Sequence, residues 1–291
     1  LLLVPMMSFG QNVYIPDAIF KSYLVNNPSI NTSSDSEIQV SEAIAFTGTI
    51  SCANVNISDL TGIEAFTALT ELYCGDDQLT SLDVSNCTAL TYLNCRENNI
   101  SSLNVSNNNA LIVMICDENN MSSLNVSNNN ALTTLTCDEN NLTSLDVSNC
   151  TALTYLYCDD NQITSLNLSN NTALTKLHCH NNQLQCLNVK NGNNTAFINF
   201  FTNGNFNLSC IEVDDVNYST TNWTSIGGQA SFSTDCNNAC SSSLDITELN
   251  NTPKQLIKIV DVLGRETPFK PNTPLLYIYN DGTVERKVVI K

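Results

Sequence analysis

Thiols, carboxylates and a pair of histidines are the groups in this chain whose types and spacing could do chemistry. Of thirteen cysteines, Cys74, Cys95, Cys116, Cys137, Cys158 and Cys179 stand 21 residues apart. Equal spacing along a line cannot converge four thiolates on one tetrahedral zinc. Carboxylates keep the same period: Asp76, Glu97, Glu118, Glu139 and Asp160 form one series beside Asp117, Asp138 and Asp159. Stacked like charges cost stability, so a cation or basic ligand would relieve them, while a solvated acidic face is the plainer reading. His178 and His180 are the only histidines, and with Asp159 they could hold a metal. No nucleophile–base–acid set, Gly-rich phosphate loop or HExxH motif accompanies these groups. They do not ask to be an enzyme.

The elements that carry them follow from the repeat. Around each of these cysteines lies one frame, Leu90-x-x-Leu93-x-Cys95-x-x-Asn98-x-Ile100 followed by Leu103 and Val105. The next turn repeats it with Leu111, Met114, Cys116, Asn119, Met121, Leu124 and Val126, and later turns run through Leu132, Leu153 and Leu174. An earlier coil around Cys52, Ile57, Leu60 and Ile63 fits with one inserted residue, and an irregular last coil passes through Phe197, Phe200, Leu208 and Ile211. A coil this short cannot bury its own apolar edge, so it must stack on neighbours. Leu93 and Cys95, two apart, share one face of a short strand and point inward. Neighbouring strands then pair in parallel at about 4.8 Å. Asn98, Asn119, Asn140, Asn161 and Asn182 should form a ladder whose amides satisfy turn backbone groups inside the stack.

This frame resembles the leucine-rich-repeat family, whose pattern is L-x-x-L-x-[LC]-x-x-N-x-L, over residues 50–215 and six consecutive coils. It departs from the pattern at Asp76 and Asp77, where the first full coil lacks the asparagine. The resemblance implies a solenoid of 21-residue repeats, with parallel strands on a concave face and a mostly irregular convex side. It places the ladder cysteines, Cys52 included, where the family more often has leucine, so they read as small buried hydrophobes. Cys87 and Cys150 hold equivalent sites three coils apart, about 14 Å by strand spacing, too far to bridge. Cys186, Cys210, Cys236 and Cys240 fall where the repeat breaks down, and a disulfide there would staple the end coil. Cys210–Cys236 is the favoured pair, because Cys236 closes a segment that can fold back over the last coil. Cys186–Cys210 is the alternative.

Strand residues alternating with the buried ones would face the concave side. Tyr73, Tyr92, Tyr155 and Tyr157, with Val113 and Ile115, make an apolar and aromatic patch of the kind enriched at recognition sites. Tyr and Val also suit exposed strands without any ligand. Arg96, Asp117, Asp138, Asp159, His178 and His180 border the patch and complete the candidate ligand-binding set.

Composition bounds the ends. Residues 1–253 hold four basic residues against 24 acidic ones, a net −20, whereas residues 254–291 hold seven basic and four acidic, a net +3. That balance excludes a duplex nucleic-acid partner, which needs clustered Lys and Arg, and it marks a domain boundary. Residues 1–10, LLLVPMMSFG, read as the remnant of a signal peptide, with a buried first strand as the alternative. Residues 11–49 read as a helical N-terminal cap, with one helix started by Pro16 and Asp17 and a second over VSEAIAF. The loop between them resembles an EF-hand, with Asn31, Ser33, Asp35, Glu37 and Glu42 at positions 1, 3, 5, 7 and 12, but it lacks Asp at position 1 and Gly at position 6. A plain cap and a calcium site are the two readings of it.

The solenoid and its C-terminal cap span residues 50–240, a linker spans 241–254, and residues 255–291 read as three β segments with a hairpin signal at Asn280-Asp281-Gly282. That last stretch is similar to the C-terminal sorting domain of the type IX secretion system, through Lys258 to Arg265, the Lys270-Pro271-Asn272 turn, Tyr277-Ile278-Tyr279 and the basic Lys291. The resemblance implies passage through that machinery, cleavage of the tail and attachment to surface lipopolysaccharide. Together these features predict a secreted or outer-membrane surface protein that binds an unknown protein or glycan through its concave face. A structural surface spacer is the alternative.

Overall fold

A computed structural model of the chain describes residues 11–237 and 240, and in the C-terminal part residues 256–260, 265, 267, 275–279 and 284–287. The chain divides into two compact units, residues 1–242 and 243–291. No helix among the described residues is long and apolar enough to cross a membrane.

The first unit is a stack of coils, each contributing a three-residue strand. β1 (Thr49–Ser51), β2 (Glu71–Tyr73), β3 (Tyr92–Asn94), β4 (Val113–Ile115), β5 (Thr134–Thr136) and β6 (Tyr155–Tyr157) come first. β7 (Ser165–Asn167), β8 (Lys176–His178), β9 (Cys186–Asn188), β10 (Asn199–Phe201), β11 (Cys210–Glu212) and β12 (Ser231–Ser233) follow. One eight-stranded sheet runs β1-β2-β3-β4-β5-β6-β8-β10, and every pair in it is parallel. The register advances by one repeat per strand, Leu72 to Leu93 to Met114 to Leu135 to Leu156 to Leu177. Each central residue is buried, and so is the cysteine two positions on. Alternation along the strand therefore turns the flanking pair outward.

The opposite side of the coils is irregular over the early coils, as expected, and becomes regular toward the C-terminal end. Early coils carry there a single isolated Leu82–Leu103 bridge among the described residues, but β7, β9, β11 and β12 form a second parallel sheet. Leu103 and Val105 are buried just as Leu166 and Leu168 are, so residue type does not separate the two cases.

The N-terminal cap closes the first coil. α1 (Ala18–Val25) starts after Asp17, whose carboxylate accepts from the Ile19 and Phe20 amides, a helix-capping bond that satisfies orphan donors. The other Asp17 oxygen accepts from the amide and hydroxyl of Ser58, which ties the cap to the solenoid. Phe20 and Leu24 are fully buried. α2 (Val40–Ala45) follows the intervening loop.

At the other end α3 (Val216–Asn222) leads into Trp223, buried and stacked on Phe200 at 4.0 Å. Disulfides join Cys210 to Cys236 and Cys186 to Cys240. The favoured pair is present, while Cys186 bonds Cys240 instead of its neighbour Cys210. Two cysteines four apart thus pin one returning segment across adjacent strands β9 and β11. The remaining nine cysteines are free and buried. In the second unit β13 (Leu256–Val260), β14 (Leu275–Tyr279) and β15 (Val284–Lys287) form an antiparallel sheet. The segment read as a signal-peptide remnant, the Lys270-Pro271-Asn272 and Asn280-Asp281-Gly282 turns and Lys291 lie outside the described residues.

Candidate functional site

Four columns of side chains line the open face of the eight-stranded sheet, one residue per coil in each. The first strand positions carry Glu71, Tyr92, Val113, Thr134, Tyr155 and Lys176, and the third carry Tyr73, Asn94, Ile115, Thr136, Tyr157, His178 and Phe201. All are half-buried, so neighbours in a column support one another while leaving one side accessible.

The aromatic residues do not form one patch. Tyr73 and Tyr92 stack at 4.7 Å at the N-terminal end. Tyr157 stacks on His178 at 4.1 Å, and Phe201 meets the edge of His178 at 4.7 Å, at the C-terminal end. Lys176 Nζ sits 4.3 Å from the Tyr155 ring centroid, a cation–π contact. Val113, Ile115, Thr134 and Thr136 separate the two groups.

The third column follows the buried cysteines: Gly75, Arg96, Asp117, Asp138, Asp159 and His180. Here the parallel ladder continues past the strand, since Glu97, Glu118, Glu139 and Asp160 donate their amides to the carbonyls of Asp117, Asp138, Asp159 and His180 in the next coil. A Cβ on Gly75 would stand 2.9 Å from Arg96 Cγ, so glycine leaves room for that arginine, which pairs with Glu97. Asp138 is pushed up to about 7, chiefly by burial and then by Asp117 and Asp159 on either side. Asp159 is also raised by burial, against the opposing pull of His180. Burial holds His178 below its ordinary value, helped by His180 and Lys176.

The fourth column is Asp76, Glu97, Glu118, Glu139, Asp160 and Asn181, with φ of 56, 49, 51, 49, 50 and 50°. Left-handed backbone in residues other than glycine costs about 1 kcal/mol or more each. It turns the chain out of the ladder and into the inward side chain that follows, Asp77 in the first of these coils and an asparagine in the others. Asn98 Nδ2 donates to the carbonyls of Cys74, Cys95 and Arg96, and its Oδ1 accepts from the Leu79 amide. The same set recurs at Asn119, Asn140, Asn161 and Asn182.

Internalin C2 of Listeria monocytogenes is similar to this chain with a TM-score of 0.57 and 18% identity, over 75% of this chain and 94% of that one. The fold is the leucine-rich-repeat solenoid. An internalin inlF from the same organism (TM-score 0.46, 18% identity, 74% and 76% covered) is a further similar structure. So is the functional domain of its InlJ, described as including a cysteine ladder (TM-score 0.37, 23% identity, 76% and 70% covered). No protein-family model and no curated protein matches the chain.

Within this leucine-rich-repeat solenoid the expected site residues separate into groups. Tyr155, Tyr157, Asp159, His178 and His180 come together on two adjacent coils, whereas Tyr73, Tyr92 and Arg96 stand apart at the other end. His180 Nε2 lies 3.4 Å from Asp159 Oδ2 and 3.8 Å from Asp160 Oδ2. His178 is not one of that group; its ring stacks between coils instead. Among the described residues, Asp159, Asp160 and His180 are the one set of three whose donor atoms gather closely enough for a metal.

The residues of the EF-hand-like loop bond to one another, to the backbone and to Lys21. Glu42 accepts from the Thr32 hydroxyl and the Ser33 and Gln39 amides, and Glu37 pairs with Lys21 at 2.6 Å. Asp35 accepts from the Glu37 amide and the Gln39 side chain, and Asn31 donates to the carbonyls of Val25 and Asp35 while accepting from Ser33. Protein donors take the oxygens a cation would need, and the loop caps a helix.

Two residues were not legible as members of the site. Phe201 completes the C-terminal aromatic cluster, and Asn205 extends the asparagine ladder by donating to Cys179 and Thr202. Both sit 23 rather than 21 residues after their counterparts His178 and Asn182, which hides them from a strict period.

Proposed function

We propose that this chain is an exported, cell-surface or secreted binding protein, whose ligand is a protein or a glycan held on the open face of the eight-stranded sheet. The observation that carries this reading is the pair of aromatic clusters flanking a run of aspartates on a face that no described element of the first unit covers. Aromatic side chains held by stacking bind at low entropic cost, and such residues dominate binding energy. The disulfides at the C-terminal cap support an oxidising compartment. The antiparallel strands of the second unit support the small β domain that the sorting resemblance implies, with lipopolysaccharide attachment as its consequence.

A protein and glycan array probed with the full chain tests the reading. Tyr155→Ala with Tyr157→Ala should weaken any ligand found by about 2 kcal/mol or more with the fold retained. Unchanged affinity in that double variant would move the site off this face, and an array without binders would favour a bare spacer.

A further inference from the structure

We propose that Asp159, Asp160 and His180 form a site for a divalent transition metal, of the zinc class, at the C-terminal end of the aspartate column. The donor atoms of the three side chains all lie within 4.8 Å of one another. Donors held about 2.0–2.2 Å from a tetrahedral zinc are about 3.3–3.6 Å from each other. The 3.4 Å and 3.8 Å separations of His180 Nε2 from the two carboxylates are close to that spacing.

The backbone explains how the three converge. His180 follows Asp159 by one repeat and stands beside it in the same column. Asp160, the next residue along the chain, is in the left-handed conformation at φ 50°, yet its carboxylate also lies against His180. Asn181 Nδ2 donates to Asp160 Oδ1 at 3.0 Å, which orients the carboxylate and leaves Oδ2 facing His180. Outer hydrogen bonds of this kind hold ligating side chains in metal sites.

Charge favours a cation here. Asp138 and Glu139 of the preceding coil act electrostatically within the same cluster, and within the first unit no lysine or arginine pairs with Asp138, Asp159 or Asp160; His180 is the one basic side chain beside them. The imidazole decides the class of metal. Calcium and magnesium take oxygen ligands, whereas a nitrogen donor with two carboxylates suits zinc, cobalt or nickel. Three protein donors leave the fourth position for water or a partner's side chain.

The test uses the intact, oxidised full chain after chelation. Cobalt(II) should bind at one equivalent with visible d–d bands and no thiolate charge-transfer band, because the nine free thiols are buried, and zinc should displace it. Zinc should also raise the melting temperature, since it binds the native state, while calcium at the same concentration should not. His180→Ala and Asp160→Asn should each weaken cobalt binding by at least about tenfold while melting like the parent in chelator. No cobalt bands, a thiolate band, or parental affinity in both variants would overturn the proposal and leave His180 as a simple neighbour of Asp159.

Discussion

Asp77 occupies the inward position that asparagine holds in every later coil. Its Oδ1 plays the asparagine's accepting part, taking the amides of Val55 and Ile57. Its Oδ2 stands where Asn98 has a donating Nδ2, and it is buried with no partner among the described side chains. Burial accordingly raises the Asp77 carboxyl above its ordinary value, with Asp76 adding to the effect. For a carboxyl raised on folding, the stabilising contribution is present below the unfolded value near 4 and is lost as pH rises through the folded value. Asp77→Asn should therefore stabilise the protein by about 1 kcal/mol at pH 7, with the gain shrinking toward pH 4, where the protonated acid can itself donate. Denaturant titrations of both proteins at the two pH values check this; a gain that is the same at both would mean that ionisation is not the cause.

At the scale of one coil, two inward ladders hold neighbouring turns together. The first is the asparagine series after the strands. The second, not anticipated from the sequence, runs through Cys87, Asn108, Asn129, Cys150 and Asn171, all fully buried. Asn108 donates to Val84 and Cys87, Asn129 to Val105 and Asn108, and Asn171 to Val147 and Cys150. The two cysteines fill the same place with weak thiol donors aimed at Ile63 and Val126 carbonyls. Cysteine and asparagine have similar size and can both donate, so the position alternates between them, and that mixture hid a 21-residue period that was present all along. Burial pushes the thiols of Cys52, Cys87 and Cys95 up to about 12 and that of Cys150 up to about 11. Only the thiolate reacts, so alkylation of native protein at pH 8 should label none of the nine. Denaturation without reductant should then expose all nine, counted by intact mass. A Cys74–Cys95 crosslink in that experiment would refute the packing role.

For the whole chain, the ends differ from the middle because a stack of coils leaves an apolar surface at each terminus. The N-terminal surface is covered by α1 through Phe20 and Leu24, and the C-terminal one by Trp223 against Phe197, Phe200 and Phe232. The two disulfides close that second cap before residue 242, where the first compact unit ends. On the sorting resemblance, mature protein at the cell surface should lack about residues 245–291. Deleting them should leave a folded solenoid in the periplasm. Mass spectrometry of surface-released protein decides the matter: an intact Lys291 terminus would contradict cleavage, and normal display of the truncated chain would remove the sorting role.

The period of the cysteines, leucines and asparagines was enough by itself to define the coil, its inward face and the parallel register, because each coil can bury its edge only against an identical neighbour. Asp17 as the helix cap and Cys210–Cys236 as a staple were legible for a similar reason, since both follow from local chemistry at a coil end. What the sequence left open depended on distance across coils. The tyrosines split into two clusters because Val113, Ile115, Thr134 and Thr136 fall between them in space. Asp160 joins His180 through a left-handed backbone turn, and the loop at Asn31 spends its carboxylates on amides. Cys186 meets Cys240 only because the returning segment crosses two strands. Periodicity reports which residues share a column, but tertiary packing alone sets which columns and ends come within bonding distance.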